Sequence, residues 1–226
     1  MVGGHYDVRF GAAALAMATT AKVDLVAATE GALRRIDAIL PGPTPIILVD
    51  VDPALAIPET GVGGFTDPRS GMVRIALDAR PANLVAMIRD WLPGSLAHEI
   101  HHSRRIVAGP GYGTTVGEAI VTEGLAVAFE REAFPSAPVA PWATAIDAAA
   151  QHRVWPMALA AFDRSDLGGE HQHWFFGSQV DIPRWSGYTL GAEVVSAYLR
   201  AHPGSAPSLL VKTAARDIVA GSGYAP

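Results

Sequence analysis

Helical periodicity dominates the first forty residues. Residues 5–22 combine a short polar lead with an Ala-rich helical pattern. A second helix is predicted over residues 24–40, where large aliphatic side chains recur at helical spacing: Leu25, Leu33, Ile36 and Leu40. The Pro-Gly-Pro sequence at 41–43 ends this helix, because proline cannot continue it.

Shorter apolar runs follow and have the character of strands. Residues 45–49 are rich in β-branched side chains, and residues 72–77 alternate in the way expected of a strand. Between them, the Gly-rich residues 61–66 lead into a turn at 67–71 that contains Asp, Pro, Ser and Gly. The pattern predicts that residues 61–66 and 72–77 form a hairpin, so that the first third of the chain supplies a small sheet.

From residue 81 onward the pattern is mainly helical. A helix over residues 82–91 is followed by a break at Pro93-Gly94, and Ser95 is expected to cap the next helix. Gly-rich residues 109–113 end that helix, and Thr114 or Thr115 is expected to cap another over 116–132. The rest is predicted as helix through most of 140–163, an irregular segment at 165–183, and closing helices near 185–201 and 206–220.

These elements predict an α+β fold in one domain spanning residues 1–226. Residues 1–80 would supply helices and the small N-terminal sheet, and residues 81–226 a helical part that carries the candidate site. At 226 residues and 50% hydrophobic content, the chain is long enough to bury a substantial core.

Charge and composition exclude several classes of protein. The formal net charge of -5 gives no basic footprint for nucleic acid, and no apolar stretch reaches the length of about 18 residues expected of a membrane span. Cysteine is absent, so any metal must be bound by His, Asp, Glu and water. We expect a cytoplasmic protein; secretion stays open, because residues 10–18 are similar to the apolar region of a signal peptide.

Residues 96–106 carry the motif H-E-x-x-H, formed by His98, Glu99 and His102. Side chains four apart lie one above the other on a helix, so the two imidazoles can bind one metal while Glu99 overhangs it. The alternative is a pair of ordinary histidines on a helix. His101 is expected to be a packed or supporting histidine, because it lies about 60° around the helix from His98.

A catalytic zinc site needs a third protein ligand. The extended motif with a third histidine is absent, which leaves Glu118 or Glu123 on the next helix. Several apolar positions lie within about 60° of Glu123, whereas Glu118 lies about 140° away; these are Val116, Ala119, Ile120, Ala126 and Val127. A carboxylate on a buried face requires a partner. That partner is either a metal held with the two histidines or an ion pair with Arg104, Arg105 or a histidine.

The motif HEIHH at 98–102 with EGLA at 123–126 resembles the glutamate-zincin peptidases, or gluzincins, in which H-E-x-x-H and a downstream E-x-x-A supply the ligands. More narrowly, AHEIHH, TEGLA and PRWSGYTLGAEVVSAYL at 183–199 resemble an uncharacterised family of predicted zinc-dependent proteases. The resemblance covers roughly residues 90–200.

The resemblance implies a zincin-like fold, a Zn²⁺ cofactor and a peptide or protein substrate. It implies that His98, His102 and Glu123 are the metal ligands and that Glu99 is the general base. It also suggests that Tyr188, in the GYTLG segment, steadies the oxyanion. Other side chains compete for that role, namely Arg184, His171 and His173.

Three functions are compatible with these observations. The first is a zinc metallopeptidase that hydrolyses peptide bonds through an activated water, with residues 61–66 as an edge for strand addition of the substrate. The second is a zinc hydrolase of a non-peptide amide or ester, and the third is a non-enzymatic binding module with a zincin fold. The presence of Glu99 argues against the third. The Gly-rich residues 61–66 are equally compatible with a plain loop.

Overall fold

The computed structural model describes residues 6–78, 80, 84–165, 169–178 and 181–224. The chain divides into two compact units, one formed by Met1–Ala108 with Phe129–Pro138 and the other by Gly109–Ala128 with Val139–Pro226. This division does not test the expectation of a single domain, which stays a prediction.

A mixed sheet of four strands forms from the first third of the chain: β1 (Asp7–Phe10), β2 (Ile46–Val51), β3 (Val62–Thr66) and β4 (Val73–Leu77). The strand order is β1-β2-β4-β3, with β1, β2 and β4 parallel and β3 antiparallel to β4. The predicted hairpin is therefore confirmed. Its turn is held by Asp67, whose carboxylate accepts the backbone N–H groups of Arg69 and Ser70.

Strand β1 lies where the sequence indicated only a polar lead. It pairs in parallel with β2, with Asp7 opposite Ile46 and Phe10 opposite Val49. Four residues are too few to display a period that separates strand from loop. The strand exists because a distant segment of chain provides its hydrogen-bonding partner.

The first unit contains the helices α1 (Ala12–Thr20), α2 (Leu25–Ile39), α3 (Leu84–Asp90) and α4 (Leu92–Ala108). Asp24 caps α2, since its carboxylate accepts the N–H of Ala27 at 2.9 Å. Helix α3 is the described part of the helix predicted over 82–91; residues 82 and 83 lie outside the described residues.

The expected cap of α4 at Ser95 is wrong. The helix already begins at Leu92, so that Pro93 lies in its first turn. Proline is tolerated there because the first N–H groups of a helix have no intrahelical acceptor. The Pro-Gly pair therefore starts the helix instead of delaying it.

The second unit is built around α5 (Val116–Ala133), whose last five residues belong to the first unit. Thr115 caps α5: its hydroxyl accepts the N–H of Glu118, and the carboxylate of Glu118 accepts the N–H of Thr115. The further helices are α6 (Ala148–Ala161), α7 (Ser186–Ala201) and α8 (Ala215–Ser222). Single turns occupy Pro141–Thr144, Gln172–Phe176 and Pro207–Leu210. The predicted helix at 206–220 is thus divided into a short turn and α8.

Helix α5 is buried on more than one side. Val116, Ala119 and Ile120 pack in one apolar cluster with Trp174 and Phe175. On the opposite side of the helix, a second cluster with Val194 and Ile218 includes Val121 and Leu125. The apolar positions around Glu123 therefore belong to a central helix, not to the single inward stripe of a surface helix.

The four-stranded sheet and the mainly helical remainder confirm the α+β fold class. None of the described helices is both long and apolar enough to cross a membrane alone. Helices α1 and α2 satisfy that criterion, by length and composition, only when taken together, and they are bent by 108° at the break between them.

Candidate metal centre

His98 and His102 lie one turn apart on α4, and their rings meet edge to face with centroids 4.6 Å apart. Both side chains are buried, with exposed fractions of 7% and 4%. The spacing of four residues has therefore put the two imidazoles side by side on one face of the helix, as the motif predicted.

Glu130 supports the first of these imidazoles. Its Oε1 lies 2.7 Å from Nδ1 of His98, and both side chains are buried. A carboxylate at Nδ1 accepts a hydrogen bond from the N–H of that nitrogen, which fixes the orientation of the ring and leaves Nε2 as the nitrogen with a lone pair. This arrangement suits a histidine that binds a metal through Nε2.

Glu99 is buried against strand β3. The hydroxyl of Thr66 donates to Oε2 of Glu99 at 2.6 Å and lies 3.0 Å from its backbone oxygen. Gly64 faces the same side chain: a Cβ at this position would lie 2.4 Å from Oε1 of Glu99. Thr66 thus holds the carboxylate by a hydrogen bond, and Gly64, which has no side chain, leaves space for it.

Glu123 lies on α5 and is 5% exposed. Its Oε1 accepts a hydrogen bond from the hydroxyl of Tyr112 at 2.6 Å. The loop that carries Tyr112 is in turn fixed to the helix, because the hydroxyl of Thr122 donates to the backbone oxygen of Tyr112 at 3.0 Å. The buried carboxylate therefore has a neutral donor.

His98, His102 and Glu123 each offer one ligand atom, and these atoms lie within 4.8 Å of one another. Zinc binds nitrogen and oxygen at about 2.0–2.2 Å in tetrahedral geometry, which separates two ligand atoms by about 3.3–3.6 Å. Two imidazoles and one carboxylate also form the donor set of catalytic zinc sites that leave a fourth position for water. The three residues fit a zinc ion in chemistry and in proximity.

Two further residues near the motif, Arg104 and His101, make structural contacts of their own. Arg104, considered above as an ion-pair partner of Glu123, donates instead to Asp37 at 3.4 Å and to the backbone oxygen of Leu40. Its pKa is lowered because its guanidinium is buried. His101 is fully buried, and its ring packs against Phe129 with centroids 5.5 Å apart. It is therefore a packed histidine, as expected.

Tyr188 lies in the first turn of α7 and is partly buried. Its ring packs edge-on against Phe175, with centroids 5.0 Å apart, and lies 6.4 Å from that of Trp142. Among its competitors, His171 has its ring 6.1 Å from that of Tyr112, the residue that donates to Glu123. Arg184 is exposed and stacks on Trp185.

His173, the remaining competitor, lines a cavity of about 800 Å³ in the second unit together with Arg164 and Trp174. The role of Tyr188 in the site stays a prediction.

Three residues at the site escaped the sequence analysis: Glu130, Tyr112 and Thr66. Glu130 lies two helical turns after Glu123 and therefore on the same face of α5, so the angular argument applied to Glu123 would also have identified it. Thr66 and Tyr112 reach their partners through tertiary structure, and no periodic signal marks them.

Comparison with known proteins matches this chain to a family. The family model described as "Predicted Zn-dependent protease (DUF2268)" matches residues 29–220. A curated relative, the "Uncharacterized protein YjfC" of Bacillus subtilis (strain 168), is 26% identical over 156 residues. This similarity covers 63% of the present chain and 48% of the relative, so the chain spans about half the length of that protein. No solved structure matches the chain.

The family match includes α4 and α5, the helices that carry His98, His102 and Glu123. It also extends over most of the chain, from α2 into α8. The chain therefore belongs to the family of predicted zinc-dependent proteases.

Proposed function

We propose that this protein is a zinc metallopeptidase of the gluzincin type, in which His98, His102 and Glu123 hold the metal. The observation that carries the proposal is the convergence of these three ligand atoms within 4.8 Å, beside a buried glutamate on the same helix turn. The family description supports the reaction class, because it names a predicted zinc-dependent protease.

When bound, zinc would supply a Lewis acid that polarises the substrate carbonyl and lowers the pKa of a water molecule towards about 7. Glu99 would take a proton from the attacking water and deliver it to the nitrogen of the leaving amine. Glu130 would keep the imidazole of His98 in the tautomer that presents Nε2. Tyr112 would hold one oxygen of Glu123 and leave the other for the metal.

Tyr188 is proposed as the residue that steadies the oxyanion, and this role can be separated from that of Tyr112. Tyr188→Phe should lower kcat while zinc affinity is unchanged, since the hydroxyl would act on the substrate. Tyr112→Phe should instead weaken zinc binding, since its hydroxyl contacts Glu123. An unchanged kcat in Tyr188→Phe would remove Tyr188 from the site and leave His171, Arg184 and His173 to be tested.

Strand β3 is proposed as the docking edge for an extended peptide. Within the described residues it pairs with β4 along one edge only. The same strand contacts Glu99 through Thr66, so a peptide that adds to its other edge would lie beside the base. Phe65 points to the opposite face of the strand and is 47% exposed, so it would not obstruct that approach.

The test combines metal analysis with turnover of a library of internally quenched peptides. The wild-type protein should bind one zinc per chain and cleave a subset of the library. Glu99→Gln should retain zinc but lose about 100-fold or more in kcat, because the general base is removed. Glu123→Ala should lose the zinc itself, and Glu30→Gln, an exposed carboxylate on α2, serves as the control.

The outcomes distinguish the competing functions. Hydrolysis of small amides or esters without any peptide cleavage would favour a non-peptide hydrolase. Zinc binding without turnover of any substrate would favour a binding module. Absence of bound zinc after loading would contradict both hydrolase functions and would favour the binding module. The cytoplasmic location stays a prediction.

A further inference from the structure

We propose that Thr66 is a positioning residue for peptide hydrolysis, whose hydroxyl fixes the carboxylate of Glu99 in the orientation needed for proton transfer. This inference rests on the proposed function, in which Glu99 is the general base. Strand β3 would then both bind the substrate and orient the general base.

The hydrogen bond between the two residues is short and shielded from water. The Thr66 hydroxyl lies 2.6 Å from Oε2 of Glu99 and 3.0 Å from the backbone oxygen of the same residue. A hydroxyl has one proton, but both acceptors belong to Glu99, so either choice ties the strand to this residue. Thr66 is 9% exposed and Glu99 is 6% exposed, so little water competes for the bond.

Strand geometry explains why Thr66 meets Glu99. Alternate residues of a strand share one face, so Gly64 and Thr66 both point towards α4 while Phe65 points away. Gly64 provides the space: a Cβ there would lie 2.4 Å from Oε1 and 2.5 Å from Cγ of Glu99. The sequence Gly-Phe-Thr thus combines a gap that admits the glutamate with a hydroxyl that orients it.

The position of this pair is fixed by the hairpin. Gly64 lies opposite Ile75 and Thr66 opposite Val73 in the antiparallel register. Ile75 and Val73 are both buried, which prevents a shift of one residue because such a shift would expose them. Threonine is also restricted in its χ1 rotamer, since it branches at Cβ. The hydroxyl is therefore presented from a rigid support.

Orientation of the base matters because proton transfer requires hydrogen-bond distance to a defined atom. A glutamate has three side-chain torsions, and burial alone does not select one direction for its carboxylate. With Oε2 held by Thr66, the carboxylate plane is set, and the protein need not order it during the reaction. Because β3 would also bind the peptide, a single strand would define the position of base and substrate together.

The experiment compares Thr66→Val, Thr66→Ser and the wild-type protein, all loaded with zinc, on the best peptide of the quenched library. Valine keeps the shape of threonine but has no hydroxyl, whereas serine keeps the hydroxyl. Thr66→Val should keep one zinc per chain and a similar KM while kcat falls about 10- to 100-fold, in line with a misplaced catalytic group. Thr66→Ser should recover most of the wild-type kcat.

Thr29→Val is the matched control. Thr29 is fully buried in the same unit, and its hydroxyl donates to the backbone oxygen of Leu25 within α2. Its substitution tests whether loss of any buried threonine hydroxyl lowers kcat, and we expect no change beyond a small loss of thermal stability.

Each outcome supports or overturns a specific statement. If the zinc-loaded wild-type protein cleaves no peptide, the proposed function fails and the role of Thr66 fails with it. If the wild-type protein is active and Thr66→Val keeps its kcat, or Thr66→Ser is as slow as Thr66→Val, only the positioning role is overturned. A loss of zinc in Thr66→Val would likewise overturn it, since the residue would then support the metal site and not the base.

Discussion

Glu130 acts on the candidate centre through another side chain. Its carboxylate lies 2.7 Å from Nδ1 of His98, inside a region that little water reaches. Such a contact fixes the histidine tautomer and makes Nε2 a stronger donor to a metal. The role requires a negative charge at that position and not merely an acceptor, because the imidazole bound to a cation becomes more acidic at Nδ1.

Glu130→Gln is therefore expected to weaken zinc binding by about 10- to 100-fold, as found for other groups that support metal ligands. Glutamine preserves the shape and the carbonyl acceptor, so the fold should be retained. Competition with a chromogenic chelator measures the dissociation constant, and Glu30→Gln again provides an exposed control. Equal zinc affinities in the two variants would mean that Glu130 is a structural partner of His98 only.

Individual residues differ in whether the sequence alone could identify them as part of the site. His98 and His102 were recognisable because a fixed spacing on one helix determines their proximity. Glu123 and Glu130 share a helix face, so both were accessible to the same argument. Thr66 reaches Glu99 across 33 positions of sequence, and only the folded hairpin brings them together. Tertiary contacts of this kind have no local signature.

At the scale of elements, the crossing of α5 and α7 depends on two glycines. A Cβ on Gly124 would lie 2.2 Å from the carbonyl carbon of Gly191, and a Cβ on Gly191 would lie 2.1 Å from the backbone oxygen of Ile120. The helices therefore meet backbone to backbone, directly beside Glu123. The glycines of the EGLA and GYTLG motifs are thus needed for packing.

Gly124→Ala and Gly191→Ala should each destabilise the protein by about 1–3 kcal/mol or more, because an added methyl has no space in this crossing. Gly31→Ala on α2 is the matched control, since its added Cβ would meet only the end of Arg34 at 3.9 Å. That variant should be neutral or up to about 1 kcal/mol more stable, as alanine is the better helix former. Urea unfolding compares the three, and equal stabilities would contradict the close approach of α5 and α7.

The start of α5 should give a pH-dependent contribution to stability. Backbone N–H groups of Thr114 and Thr115, Thr114 foremost, donate to the carboxylate of Glu118 and lower its pKa. The folded state therefore favours the ionised form, and the stabilisation is complete above the ordinary glutamate pKa of about 4.3. It is lost as the pH falls through the lowered pKa of the folded state.

Glu118→Ala should thus reduce the free energy of unfolding by about 1 kcal/mol at pH 7, a usual value for a lost helix cap. The difference from wild type should shrink as the pH falls below about 4, because the wild-type carboxylate then takes up a proton, first in the unfolded chain and at lower pH in the folded protein. Glu118→Gln, which keeps an acceptor, should lie between the two at pH 7. A difference that is constant from pH 7 to pH 3 would exclude a role for the charge.

Elements were predictable where local chemistry determines them. Thr115, one of the two cap residues that the sequence indicated for α5, caps that helix, and α2 lies within the range predicted for it. The start of α4 was misplaced because proline is compatible with a first helical turn as well as with a break. Strand β1 was missed because its existence depends on β2. Local sequence signals thus predict the ends of helices better than they predict short strands, because a short strand forms only when another strand pairs with it.

For the whole molecule, the matched family region begins within α2, after β1 and α1. Residues 29–220 nevertheless include β2, β3 and β4 as well as α4 and α5. Strand β3 and helix α4 therefore both lie inside the region matched by the family model. This agrees with the proposal that the strand and the helix form one catalytic arrangement.

Metal removal should change the stability of the whole chain. Three buried side chains would bind zinc in the folded state, whereas the unfolded chain does not hold them together, so zinc stabilises the fold by mass action. At a free zinc concentration of about 100 times the dissociation constant, the gain is about 2.7 kcal/mol. For a chain of this length that corresponds to a rise in Tm of about 5–10 °C.

Thermal unfolding followed by circular dichroism, with and without a chelator, measures this shift, which should grow with zinc concentration. Glu123→Ala should abolish it, because one ligand is missing, and Glu99→Gln should retain it, because the base is not a ligand. This pair separates metal binding from catalysis without any substrate. A Tm that is independent of zinc in the wild-type protein, or an equal shift in Glu123→Ala, would contradict the proposed ligand set, whatever the peptide assays give.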